Sequence, residues 1–110
     1  MYRVHLTDLP ASGLSRVFTG ADHGDVAISA YFVTASEGSG PGPHTHPYDE
    51  IVIVQSGRSL WTVGGQEHEA GPGDVLVVKA GEVHAFRAVG DEPLVQLDLH
   101  LGPRFIQHDL

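Results

Sequence analysis

The fold class this sequence predicts is an all-β sandwich or barrel, and three observations predict it. Several segments alternate apolar and polar residues with period two, and others are short β-branched runs. Turn residues divide these segments at intervals of roughly 8–12 residues. Few segments show a 3.6-residue apolar period, and Gly and Pro, 14 and 7 of the 110 residues, interrupt most windows of helical length.

In chain order, residues 1–25 are irregular and read as edge strands or an arm toward a partner subunit. Residues 26–34 (VAISAYFVT) read as the first regular strand. Residues 38–43 (GSGPGP) form a loop that delivers the next residues to a fixed place. Residues 51–55 (IVIVQ) and 59–63 (SLWTV) are strands, and Gly64-Gly65 turns the second into residues 66–69. Residues 75–79 (VLVVK) read as a buried strand. Residues 83–89 and 94–101 form the last two strands, separated by the turn Gly90-Asp91-Glu92-Pro93. No linker interrupts the pattern, so residues 1–110 are expected to form a single domain.

Composition narrows the function. Hydrophobic residues make up 41% and charged residues 18%, which is a globular balance. No apolar run approaches the ~18–20 residues of a membrane span, and the N-terminus lacks a signal-peptide pattern. The expected setting is the cytoplasm, with no membrane contact. Six Lys and Arg against 14 Asp and Glu give a formal charge of −8, which repels a phosphate backbone and argues against nucleic acid as a partner. The absence of cysteine removes disulfides, thiolate metal sites and thiol nucleophiles.

Eight histidines are many for this length, and their placement is informative. In His44-Thr45-His46 the two imidazoles share one face of an extended chain. Pro47 cannot donate to a ladder and turns the chain. Glu50 opens the next strand, and His84 opens another after the turn Lys79-Ala80-Gly81-Glu82. Three imidazoles and a carboxylate suit Fe, Mn, Ni, Co, Cu or Zn as a divalent ion. Without thiolates the set is unlike a structural zinc site. An octahedral ion held by four protein groups keeps two positions for water, substrate or dioxygen.

These residues carry a resemblance. Gly38-(x5)-His44-x-His46-(x3)-Glu50-(x6)-Gly57 resembles the first cupin motif at every fixed position, over residues 38–57. Gly73-(x5)-Lys79-x-Gly81-(x2)-His84-(x3)-Ala88 is similar to the second motif, over residues 73–88. It departs where the family usually has Pro (Lys79) and Asn (Ala88), neither a metal ligand in the family. The resemblance implies a cupin barrel, the double-stranded β-helix or jelly roll, with His44, His46, Glu50 and His84 as metal ligands. Small cupins commonly pair through their sheets, so a homodimer is expected.

The last strand and the tail supply further pocket candidates. Gln96, Asp98 and His100 alternate with Leu97, Leu99 and Leu101. Asp98, His100 and Arg104 have the spacing of substrate-side residues in small cupins that act on unsaturated uronates, though those enzymes look to use Gln where this chain has Glu50. Tyr31, Tyr48 and Phe86 join them as candidate substrate-pocket residues. Core packing is the reading for Tyr31, Phe32, Trp61 and Phe86 as a group. His5, His23, His68 and His108 lack ligand spacing and read as surface residues, and Lys79 as a solvated turn residue.

Two function classes are implied. One is a metal-dependent enzyme of dioxygenase, isomerase, cyclase or lyase type acting on a small polar molecule, with Glu50, His100 and Arg104 as candidate catalytic groups. The other is a non-catalytic barrel that binds a sugar-like small molecule.

Overall fold

A computed structural model describes all residues, Met1–Leu110. Eleven strands and two short 3-10 turns, Leu6–Asp8 and Gly20–Asp22, make up the fold. The strands are β1 (Ala11–Ser12), β2 (Ser15–Phe18), β3 (Ser29–Ala35), β4 (His44–Thr45), β5 (Glu50–Ser56), β6 (Arg58–Val63), β7 (Gln66–Ala70), β8 (Val75–Val78), β9 (His84–Val89), β10 (Leu94–His100) and β11 (His108–Asp109). They form two sheets, β1-β2-β3-β10-β5-β8 and β11-β4-β9-β6-β7, with antiparallel pairing throughout. No helix is long and apolar enough to cross a membrane.

The expected all-β barrel is therefore what the chain forms. Strict alternation explains the interior. In β10 the residues Leu94, Gln96, Asp98 and His100 are buried, while Val95, Leu97 and Leu99 between them are half-exposed. In β5 the buried set is Glu50, Val52 and Val54. The apolar core joins Val33, Ala35, Val52, Val54, Trp61, Val78, Phe86 and Leu94. Burial of this apolar surface drives the two sheets together.

Glycines permit two close approaches. Gly40 lies against the carbonyl of Phe86, where a Cβ would sit 2.0 Å from the oxygen. Gly57 turns β5 into β6 at φ +75°, and a Cβ there would fall 2.3 Å from the Pro93 carbonyl oxygen. The first contact pins the loop before His44 against β9.

Three expectations need correction. Residues 26–28 do not extend the first regular strand, which begins at Ser29; Val26 and Ile28 are exposed. The strand β8 is not buried on both faces, since Val75 and Val77 are 60% and 61% exposed. It is the sheet edge and pairs only with β5, so alternate valines turn outward. Phe32 is not a core residue, because it has the opposite parity to Tyr31 and lies on the outer face.

Candidate metal centre

The backbone register builds the site. On one sheet His44 of β4 stands directly opposite His84 of β9. On the other, Glu50 of β5 stands opposite His100 of β10. His46 lies between the two pairs, just before Pro47 turns the chain into β5. All five side chains are buried. The ligand atoms of His44, His46 and His84 lie within 4.8 Å of one another, and so do those of His46, Glu50 and His100.

Hydrogen bonds on the far ring nitrogens orient three of the imidazoles. Nδ1 of His44 meets the Gly42 carbonyl at 2.7 Å, Nδ1 of His46 the Ile106 carbonyl at 2.7 Å, and Nδ1 of His84 the Glu82 carbonyl at 2.9 Å. A carbonyl only accepts, so each Nδ1 carries its hydrogen and each Nε2 offers a lone pair. This is how proteins present histidine to a metal.

The carboxylate supplies the fit test. Glu50 Oε1 lies 3.2 Å from Nε2 of His84 and 3.5 Å from Nε2 of His46. Glu50 Oε1 and His84 Nε2 are buried with no hydrogen-bond partner. Buried acceptors facing one another are costly unless a positive charge lies between them. A divalent cation answers that arrangement, and His44, His46, Glu50 and His84 could hold it.

Acid–base properties reflect the same crowding. Burial pushes the Glu50 carboxyl up, but the close approach of the His100 and His84 rings outweighs it and brings its pKa to about 2. Burial lowers His44, and it lowers His46 to about 4. His84 is also driven down by burial, yet the adjacent Glu50 carboxylate raises it overall. Asp98 is raised well above the usual carboxylate range by burial and then by the Glu50 charge.

A cavity of about 400 Å³ opens over these groups. Tyr31, Phe86, Asp98, His100 and Phe105 line it beside the four candidate ligands. Asp98 accepts a hydrogen bond from Gln96 at 2.9 Å, and Tyr31 packs on the His100 ring at 4.8 Å between centroids. Tyr48 sits behind this wall, half-buried, with its hydroxyl 2.7 Å from His100 Nδ1.

Arg104 is the correction. It does not line the cavity; its side chain is 66% exposed and its guanidinium lies 3.7 Å from the Asp22 carboxylate. The chain turns at Gly102, beside the Tyr48 ring, so the tail crosses the mouth with Phe105 and Gln107 inward. Sequence reasoning missed the role of this tail. Ile106 holds His46 through its carbonyl, and β11 pairs with β4. Its signal in the sequence is the Gly102-Pro103 turn after β10. The remaining histidines lie outside the centre: His5, His68 and His108 are exposed, and His23 is half-buried and bonded to the Tyr2 hydroxyl. Lys79 is exposed and pairs with Asp49 at 2.8 Å.

Relatives bear on the fold. Over 62 residues the chain is 38% identical to the HTH-type transcriptional activator RhaS of Mannheimia succiniciproducens, covering 56% of this chain and 23% of that protein. Oxalate decarboxylase of Lactobacillus farciminis, solved with formate, superposes with a TM-score of 0.82 at 24% identity over 96% of this chain and 35% of its own. Oxalate decarboxylase of Bacillus subtilis, a protein with Mn(II) centres, gives 0.80 at 26% identity over 96% of this chain and 30% of its own. The chain thus spans a quarter to a third of the length of these relatives. The family model of the cupin domain matches residues 31–100, from β3 through the end of β10. With that match and a two-sheet jelly roll around a His-and-Glu cluster, the chain belongs to the cupin family.

Proposed function

We propose that this chain is a metal-dependent cupin enzyme acting on a small polar molecule, with His44, His46, Glu50 and His84 holding one divalent transition metal. The observation that carries this reading is the convergence of three Nε2 lone pairs and Glu50 Oε1 beneath an open cavity, each imidazole pinned from behind by a carbonyl. Mn(II) in the Bacillus neighbour makes manganese the first ion to test, with iron, nickel, cobalt, copper and zinc as the others. A bound ion supplies Lewis acidity toward a substrate oxygen.

The surrounding residues point to the substrate. No Lys or Arg lines the cavity, so a doubly charged acid such as oxalate would find no side-chain cation there. Tyr31, Phe86 and Phe105 give the walls aromatic faces, and Asp98 and His100 give polar ones. A molecule with hydroxyl or carbonyl oxygens and at most one negative charge suits these walls. Asp98 is the polar group we assign to orienting it.

The second reading is a small-molecule-binding barrel without turnover. The match to a transcriptional activator favours it. Elemental analysis of the purified chain tests the first claim, with about one equivalent of a transition metal expected. Oxygen uptake or product formation against sugars, keto acids and diphenols then separates the two readings. Tight binding without turnover by any metal form selects the module.

A homodimer is part of the proposal. Val77, Ile51 and Leu99 align across β8, β5 and β10, and Val75, Ile53, Leu97 and Phe32 align in the next row through β3. These rows give the outer sheet face an apolar stripe that a second copy would cover. Sedimentation should give twice the chain mass, and a monomer mass sinks the claim.

A further inference from the structure

We propose that His100 is a positioning residue rather than a fifth ligand. Its Nε2–H holds Glu50 Oε2 so that Oε1 alone faces the metal, and Tyr48 sets the tautomer that makes this possible. The proposal rests on the metal reading above.

Four imidazoles meet around Glu50, and their far nitrogens sort them into two kinds. His44, His46 and His84 each set Nδ1 against a carbonyl, so Nδ1 is the protonated nitrogen and Nε2 is bare. His100 is wired the other way. Its Nδ1 lies 2.7 Å from the Tyr48 hydroxyl, and that hydroxyl already accepts the Ile106 N–H at 3.2 Å. Its Nε2 lies 3.4 Å from Glu50 Oε2.

A carboxylate oxygen only accepts. A bare Nε2 on His100 would set a lone pair against that negative charge. With hydrogen on Nε2, Nδ1 is free to accept, and the Tyr48 hydroxyl has its hydrogen free to donate. Every member of the series Ile106 N–H, Tyr48 O–H, His100 and Glu50 Oε2 then has a partner. The register His100↔Glu50 between β10 and β5 fixes the last contact through the main chain.

The two oxygens of Glu50 are thereby made unequal. Oε1 has no hydrogen-bond partner and faces the bare Nε2 atoms of His46 and His84. Oε2 is occupied by His100. A cluster of His46, Glu50 and His100 is compact enough to hold an ion by distance alone. That alternative requires Nε2 of His100 to be bare and Nδ1–H to point at Tyr48.

Long-range proton–nitrogen correlation spectra of the full chain with ¹⁵N-labelled histidine separate the two. Spectra are recorded metal-free and with one equivalent of Zn(II), which is diamagnetic. The expected result is an Nε2–H tautomer for His100 in both states, with Zn(II) altering the His44, His46 and His84 rings at Nε2. Tyr48→Phe should cost His100 its single tautomer and leave the His44 and His84 rings unchanged.

Zn(II) titrations add a second readout. Loss of a residue that orients a ligand typically weakens metal affinity about 10–100-fold. His100→Leu should show that loss. His100→Gln, which puts an amide N–H where Nε2–H stood, should restore most of it. An Nδ1–H tautomer for His100 whose Nε2 responds to Zn(II) would overturn the assignment. So would a His100→Leu variant that binds as tightly as the parent. Zn(II) that alters none of the four rings sinks the metal reading and this proposal with it; three altered rings beside an Nδ1–H His100 sink the proposal alone.

Discussion

Two ends of one barrel interior are built on the same strands and differ in chemistry. At one end β5, β9 and β10 point Val54, Ala88 and Leu94 inward, each at most 1% exposed. At the other the same strands point Glu50, His84 and His100 inward. Alternation brings both sets inside, so it cannot tell them apart. What differs is the residue found two or more steps along the strand. The apolar end gains stability from burial alone. The polar end buries acceptors without partners, an arrangement that a cation would complete.

Substitutions at the two ends should therefore separate stability from metal binding. The largest effect belongs to the apolar end. Leu94→Ala should lower unfolding free energy by about 2–5 kcal/mol, read by urea denaturation. Its metal content should be unchanged. A loss of metal in that variant would mean the two ends are coupled through packing.

The next effect is at the polar end. At a metal concentration of 100 times Kd, binding to the native state alone adds about 2.7 kcal/mol. Chelation should remove that increment from the parent protein. His84→Ala should show neither bound metal nor a response to chelator in a thermal melt. Full metal occupancy in His84→Ala would remove it from the site.

The smallest effect is in pH. In the metal-free protein His46 is held neutral by burial, with a pKa of about 4, against roughly 6.5 for an unfolded histidine. Between those values the unfolded chain binds the extra proton, so stability falls as pH drops from about 6.5 to about 4. His46→Gln should flatten that part of the stability curve. His84 has the opposite sign, since its raised pKa gives stability that is lost as pH rises through it. An unchanged slope in His46→Gln would mean another group carries the acid sensitivity.

How much of this is legible in the sequence varies by region. The fold class and most strands come from period-two patterning and turn residues, which are local properties. The cluster His44, His46, Glu50 and His84 is legible because its spacing is carried by two short segments, each anchored by glycines that the backbone requires. Phe32 and β8 are misjudged because an apolar residue does not announce which sheet face it will take. Val75 and Val77 look like core until β8 is known to be an edge.

The sequence alone therefore determined an all-β barrel, the four candidate ligands and a charge that disfavours nucleic acid. Tertiary structure decided the rest. It set His100 against Glu50 across two strands far apart in the chain, turned Arg104 out toward Asp22, and brought Ile106 back to hold His46. The physical reason is that periodicity fixes the side of a strand a residue occupies. Register and the path of the tail fix which side chains meet, and both depend on contacts between segments distant in sequence.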